Sequence, residues 1–265
     1  MFCKRKNLDF FEIPTYMIVI KLKKICMNTY QTTSSVQTGT GGLRDYMVYV
    51  YQSMALALSI TGIVAFIVYQ TVISSPAIAT FLFNSPFKIV VMFAPFVMVL
   101  FLGFKIGSLS FEKARGIFYT YSALMGLSLS TIFLAYTGTS IARAFFVTAG
   151  TFAGMSLYGY TTKKDLTAFG SFLVMALIGL MIASIVNIFL KSSGMGFIIS
   201  VLSVLIFTGL TAYDVQRIKE TYYHYQSGQI SDDGIRKVAL MGALALYLDF
   251  INIFVHLLHL FGERK

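Results

Sequence analysis

The chain has 265 residues, of which 57% are hydrophobic and 12% charged, and its formal net charge is +10. Such an apolar composition excludes an ordinary soluble globular domain and points to an integral membrane protein. The positive charge forms no basic, aromatic-interleaved patch, which argues against nucleic acid as a partner; it reads as membrane topology plus attraction to anionic lipid headgroups.

Residues 1–46 differ from the rest of the chain. Lys4, Arg5, Lys6, Lys21, Lys23 and Lys24 flank a short apolar patch, IPTYMIVI, which is too short to span and is followed by no small-residue cleavage site of a secretory signal. The polar stretch MNTYQTTSSVQTGTGG reads as a flexible cytoplasmic tail, with Met27 expected as the natural start. Cys3 and Cys26 both lie in this tail, where cytosolic thiols stay reduced, so no disulfide framework follows.

Continuously apolar runs then occur near residues 48–71, 88–107, 116–138, 142–160, 167–190, 195–216 and 238–261. Runs of about 17 to 25 apolar residues can cross the hydrocarbon core as helices. Transmembrane β-strands would instead alternate over about ten residues. The expected fold class is therefore all-α, a polytopic seven-transmembrane-helix bundle over residues 47–263 with short connections. Small residues suggest helix contacts: Ser122, Gly126 and Ser130 recur every fourth position in span three, and Gly150 and Gly154 form a GxxxG in span four.

Charge sets the orientation. Lys105, Lys113, Arg115, Lys163, Lys164, Arg217, Lys219, Arg236 and Lys237 lie on one side, whereas the loops on the other carry Lys88, Arg143 and Lys191, with Arg264 and Lys265 at the end. The positive-inside rule then places the N-terminus in the cytoplasm, and an odd span count places the C-terminus outside.

Two aspartates interrupt the apolar pattern: Asp214 in LIFTGLTAYDVQRIKE and Asp249 in LYLDFINIFVHLLHLF. An ionised carboxylate at membrane depth is costly and marks a functional candidate. Counting from the edges of the apolar runs puts Asp249 about 16 Å below the start of span seven and about 8 to 10 Å from the level of Asp214. If the two approach, they cannot both ionise readily in a poorly hydrated site, so they share a proton. Their oxygens also suit a hard cation such as Ca²⁺. The simpler role for Asp214 is neutralisation of its helix end by Arg217 or Lys219. In span seven, Asp249, Asn252, His256 and His259 share one helical face, a stripe that would suit a hydrated path toward the outer surface. Alternatively, the histidines sit at headgroup level. Two histidines three residues apart do not make a zinc site without further ligands.

The segments TAYDVQRIKE (211–220), ALYLDFINIFVHLLHLFG (245–262) and ALMGLSLSTIFLAYTG (123–138) resemble the Bax inhibitor-1 family, the transmembrane Bax inhibitor motif proteins, in particular its bacterial branch. The resemblance extends over about residues 44–263. It implies a seven-helix bundle with span seven central and, as in characterised relatives, a pH-sensitive calcium leak in the bacterial inner membrane. Asp214 and Asp249 match the sensing pair of those relatives, and Lys105 is the candidate for their span-two basic latch. ETYYHYQSGQISDDGIRK (220–237) reads as an extended cytosolic segment, with Asp232 and Asp233 in a solvated turn. Other bacterial relatives are associated with a membrane-bound quality-control protease, which implies a regulator or substrate as the alternative role.

No enzyme is expected. Tyr213 and Asp214 match the first element of intramembrane aspartyl proteases, but Leu246, Tyr247 and Leu248 precede Asp249 where GxG would be needed. The last span has no lysine for a retinal Schiff base. No cofactor is implied beyond Ca²⁺ as the permeant ion.

Overall fold

The computed structural model describes residues 40–83, 86–227 and 232–265. The first 39 residues, including Met27, Cys3 and Cys26 and what the sequence suggests for them, lie outside the described residues. The described residues form helices α1 (Thr40–Ser74), α2 (Pro76–Phe83), α3 (Phe87–Lys105), α4 (Phe111–Ala135), α5 (Gly138–Thr161), α6 (Thr167–Leu190), α7 (Ser193–Ser227) and α8 (Asp232–Phe261). A 3₁₀ turn over Ile106–Ser108 follows α3. Six of the helices are long and apolar enough to cross a membrane, and one shorter apolar helix covers Phe93–Ser108.

Helices α1 and α4 run parallel. Ring pairs join Tyr49 to Phe111 at 6.3 Å and Tyr69 to Phe133 at 5.7 Å, and between them Thr61 Oγ1 donates to Ser122 O at 2.9 Å. Residues 75–110 must therefore return the chain to the end from which α1 started. Helix α3, which makes this return, packs on α4. One contact explains how it tolerates Pro95. Proline has no N–H to offer Val91 O four residues back, and Val91 is buried away from water that could take its place. Ser128 Oγ of α4 donates to that carbonyl at 2.5 Å.

Two glycines permit close crossings. A Cβ on Gly126 of α4 would lie 2.5 Å from Thr61 O of α1, and one on Gly159 of α5 would run into the Ala212 carbonyl of α7. The Ser122, Gly126 and Ser130 face is buried as the spacing suggests. Among the described residues nothing lies within 4 Å of a Cβ at Gly150 or Gly154 of the GxxxG, and α5 makes its approach at Gly159 instead.

Helix α8 is the centre of the bundle. Residues 239–253 are buried without interruption, and the helix packs on α1, α4, α5 and α7. Such all-round burial removes any need for an amphipathic pattern. At one end of the bundle Lys237 Nζ reaches Leu109 O at 3.2 Å, Lys219 Nζ reaches Tyr160 O at 2.8 Å, and the Arg236 guanidinium lies 5.8 Å from the Phe111 ring centre. The connections that carry most of the basic residues thus gather at one end.

Three expectations are corrected. The boundary after residue 46 falls inside α1, where Leu43 and Tyr46 are already buried and Tyr46 meets the Tyr222 ring at 5.1 Å. The described residues between the expected ends of spans six and seven are helical, because α7 continues to Ser227 and α8 begins at Asp232. Asp233 lies in the first turn of α8 rather than in a loop; its carboxylate stays about half exposed while it accepts from Phe111 N at 3.3 Å and pairs with Lys237 at 3.3 Å.

Replacing Ser128 by Ala should strand Val91 O and lower stability by about 1 to 3 kcal/mol. Pro95→Ala restores an N–H to that carbonyl, so adding it to Ser128→Ala should recover most of the loss. Thermal unfolding of the four proteins in detergent reads the coupling; simple additivity would show that the proline and serine act independently.

Candidate functional site

Asp214 and Asp249 lie where α7 and α8 are enclosed on every side. Residues 209–216 of α7 are all buried, as are 239–253 of α8, and both aspartates have no exposed surface. The register of this antiparallel pair follows from Gly242, where a Cβ would sit 3.0 Å from Ile218 Cγ1. Residues 242 and 218 are therefore level, which places Thr211 opposite Asp249 and Leu246 opposite Asp214. The aspartates are three residues apart along the axis, about 4.5 Å at 1.5 Å per residue. The 8 to 10 Å expected from the sequence is too long, because α7 runs to Ser227, farther beyond its apolar run than α8, starting at Asp232, runs ahead of its own.

The basic neighbour of Asp214 is Arg217, one helical turn on. Its Nη1 lies 3.6 Å from Asp214 Oδ1 and its guanidinium 5.7 Å from the Tyr213 ring centre. Lys105 is not brought to the pair: it ends α3 with its side chain exposed. Gln216, 5% exposed, is a further organiser that the sequence reading missed. Its Oε1 accepts from Leu166 N and its Nε2 donates to Lys164 O, both at 2.8 Å. The α5–α6 connection is thus clipped to α7 between Asp214 and Lys219. In that connection the exposed Asp165 carboxyl is held below its ordinary range, chiefly by its hydrogen bonds with Thr167.

Near Asp249, Tyr247 OH and Thr61 Oγ1 share a hydrogen bond at 2.8 Å. Thr61 also donates to Ala57 O and Ser122 O, which ties α1, α4 and α8 together. Tyr247 is packed edge-on by Tyr121 at 5.7 Å and Phe118 at 6.1 Å. Beyond Asp249, Asn252 and His256 are buried and His259 is partly buried. Asn252 Nδ2 donates to Leu248 O at 2.7 Å, and the rings of His256 and His259 meet edge-on at 5.9 Å. Among the described residues no group of three His, Cys, Asp or Glu gathers as a metal site. The arrangement is a carboxylate pair near one level, one member beside an arginine, with a polar stripe leading away from the other.

Comparison with known proteins gives a consistent result. Residues 43–265 match the family described as "Inhibitor of apoptosis-promoting Bax1". The chain is 43% identical to the inner membrane protein YbhL of Escherichia coli K12 over 240 residues, covering 90% of this chain and 100% of that protein. It is 45% identical to the uncharacterized protein RP147 of Rickettsia prowazekii, covering 89% and 97%. An uncharacterized protein of Caulobacter vibrioides is 47% identical, with 84% and 90% covered.

Removing Arg217 should be the most damaging loss of a single cation in the bundle. Arg217→Ala leaves a buried carboxylate without its basic neighbour, a change that costs about 3 to 5 kcal/mol in buried pairs. Combining it with Asp214→Asn should restore much of that stability, while Lys105→Ala should change it little. Melting temperatures in one detergent compare the four proteins, and equal losses for Arg217→Ala and Lys105→Ala would refute the assignment.

Proposed function

We propose that this chain, which belongs to the Bax inhibitor-1 family, is a multi-pass inner-membrane leak for cations, Ca²⁺ foremost, controlled by protonation of Asp214 and Asp249. The observation that carries this reading is the placement of two carboxylates, about 4.5 Å apart in level, in the most enclosed stretches of α7 and α8. Groups so placed are costly unless their protons or a cation neutralise them. Each protonation step therefore changes both the affinity of the site for a cation and the hold of Arg217 on Asp214. Arg217 takes the latch role for which Lys105 was the candidate.

The path runs along Asn252, His256 and His259 from Asp249. Residues 75–110 return through the membrane and supply a seventh crossing, a reading supported by the parallel course of α1 and α4. The basic end then faces the cytoplasm together with the N-terminus, and residues 262–265 lie outside. The chain carries out no catalysis in this reading.

Calcium entry into proteoliposomes with a trapped indicator tests it. The native protein should show a flux that changes from acid to neutral pH, and both Asp214→Asn and Asp249→Asn should alter that dependence. Inserted, folded protein with no flux above empty liposomes would overturn the leak. The alternative from the family, a non-conducting regulator or substrate of a membrane-bound quality-control protease, would then be tested by co-purification.

A further inference from the structure

The polar stripe on α8 ends in a closure that involves three other parts of the chain. After α8, residues 262–265 fold back along the α4–α5 corner. Lys265 N donates to Ala135 O at 3.0 Å, Thr137 N donates to Glu263 O at 3.1 Å, and Glu263 N donates to Ser140 Oγ at 3.0 Å. Lys265 Nζ adds bonds to Phe133 O at 2.9 Å and to Tyr69 OH at 3.1 Å, which brings in the end of α1. This strap encloses Tyr136. The ring is fully buried, with the Arg264 guanidinium 5.8 Å from its centre on the strap and the His259 ring stacked 6.4 Å away. Gly262 lies so close that a Cβ there would be 2.6 Å from Tyr136 Cδ1. Going inward, the order is Arg264, Tyr136, His259, His256, and then the stripe toward Asn252 and Asp249.

We infer that Tyr136, clamped by residues 262–265, is the outer gate that separates His256 and the polar stripe from water. The inference rests on the stripe being the path proposed above. The strap has the composition of an element that opens locally. Glu263, Arg264 and Lys265 are exposed, and a few hydrogen bonds rather than buried apolar area hold the strap in place. Segments of that kind open at far lower cost than a core helix. Tyr136 is the opposite, a large ring with no exposed surface, against which Gly262 and Arg264 of the strap lie. Release of residues 262–265 therefore uncovers Tyr136 and, behind it, the two histidines.

Deuterium exchange at the C2 position of the histidine imidazoles, read by mass spectrometry on the intact folded protein, tests this without a reporter substitution. A chain ending at Gly262 and a Tyr136→Ala variant should each exchange about tenfold faster at His256 than the native protein, as local opening predicts. His224, near the opposite end of the bundle, should keep its rate, and Tyr136→Phe should behave as the native protein does. Should either disruptive variant fail to fold, Ser140→Ala, which removes one strap bond, should give a smaller rise at His256 with an unchanged melting temperature. An unchanged His256 rate in the folded variants would overturn the gate. Neither outcome depends on calcium flux, so a closed gate without a leak and a leak without this gate are distinguishable.

Discussion

The cost of holding carboxylates away from water governs this structure. Asp214 and Asp249 have no exposed surface, and a bilayer offers them no solvent in exchange. Neutralisation must therefore come from protons, a cation or Arg217. Arg217 helps meet that requirement beside Asp214, where α7 leaves the apolar sequence and continues to Ser227. Arg217, Gln216 and Lys219 all lie there, and each is tied to a partner. Two carboxylates at nearly one level also have electrostatic consequences that two isolated ones lack. In the proposed leak the charge of either makes charging the other more costly, so the pair acts as one proton-controlled element.

Enclosing a central helix sets further demands that local substitutions meet. The backbones of α1 and α4, and of α5 and α7, approach closely where Gly126 and Gly159 omit a side chain. The parallel course of α1 and α4 requires an intervening segment to come back, and that segment carries a proline inside its helix. Ser128 supplies the hydrogen bond that Pro95 cannot. The Thr61, Tyr247 and Ser122 cluster likewise gives polar groups mutual partners deep in an apolar core. Both ends of the bundle are closed by small polar fastenings, Gln216 at one and Ser140 at the other.

Much of the architecture was legible in the sequence because apolar runs of spanning length admit few other structures. Helix cores, the candidate aspartates and the face shared by Asp249, Asn252 and His256 could all be read from spacing alone. Depth could not. The edge of an apolar run does not mark the end of a helix when charged residues in the next turns find partners, as Asp233 does with Phe111 N and Lys237. The resulting error doubled the axial distance between the aspartates. Spacing also fails to say which face of a helix is occupied, so Gly150 and Gly154 suggested a contact that Gly159 makes. The choice of Lys105 came from resemblance and from its place at a helix end, whereas Arg217 was the simpler candidate on Asp214's own helix. The strap over Tyr136 depends on contacts across more than a hundred residues and leaves no local pattern to read.

The proposed leak requires Asp214 and Asp249 to act as one proton-controlled pair. Infrared difference spectroscopy of the protonated carboxyl band, followed through a pH titration of the native protein, Asp214→Asn and Asp249→Asn, tests it most directly. Coupling predicts that removing either carboxylate changes the titration of the one that remains. Two independent transitions, each unmoved by loss of the other residue, would contradict it.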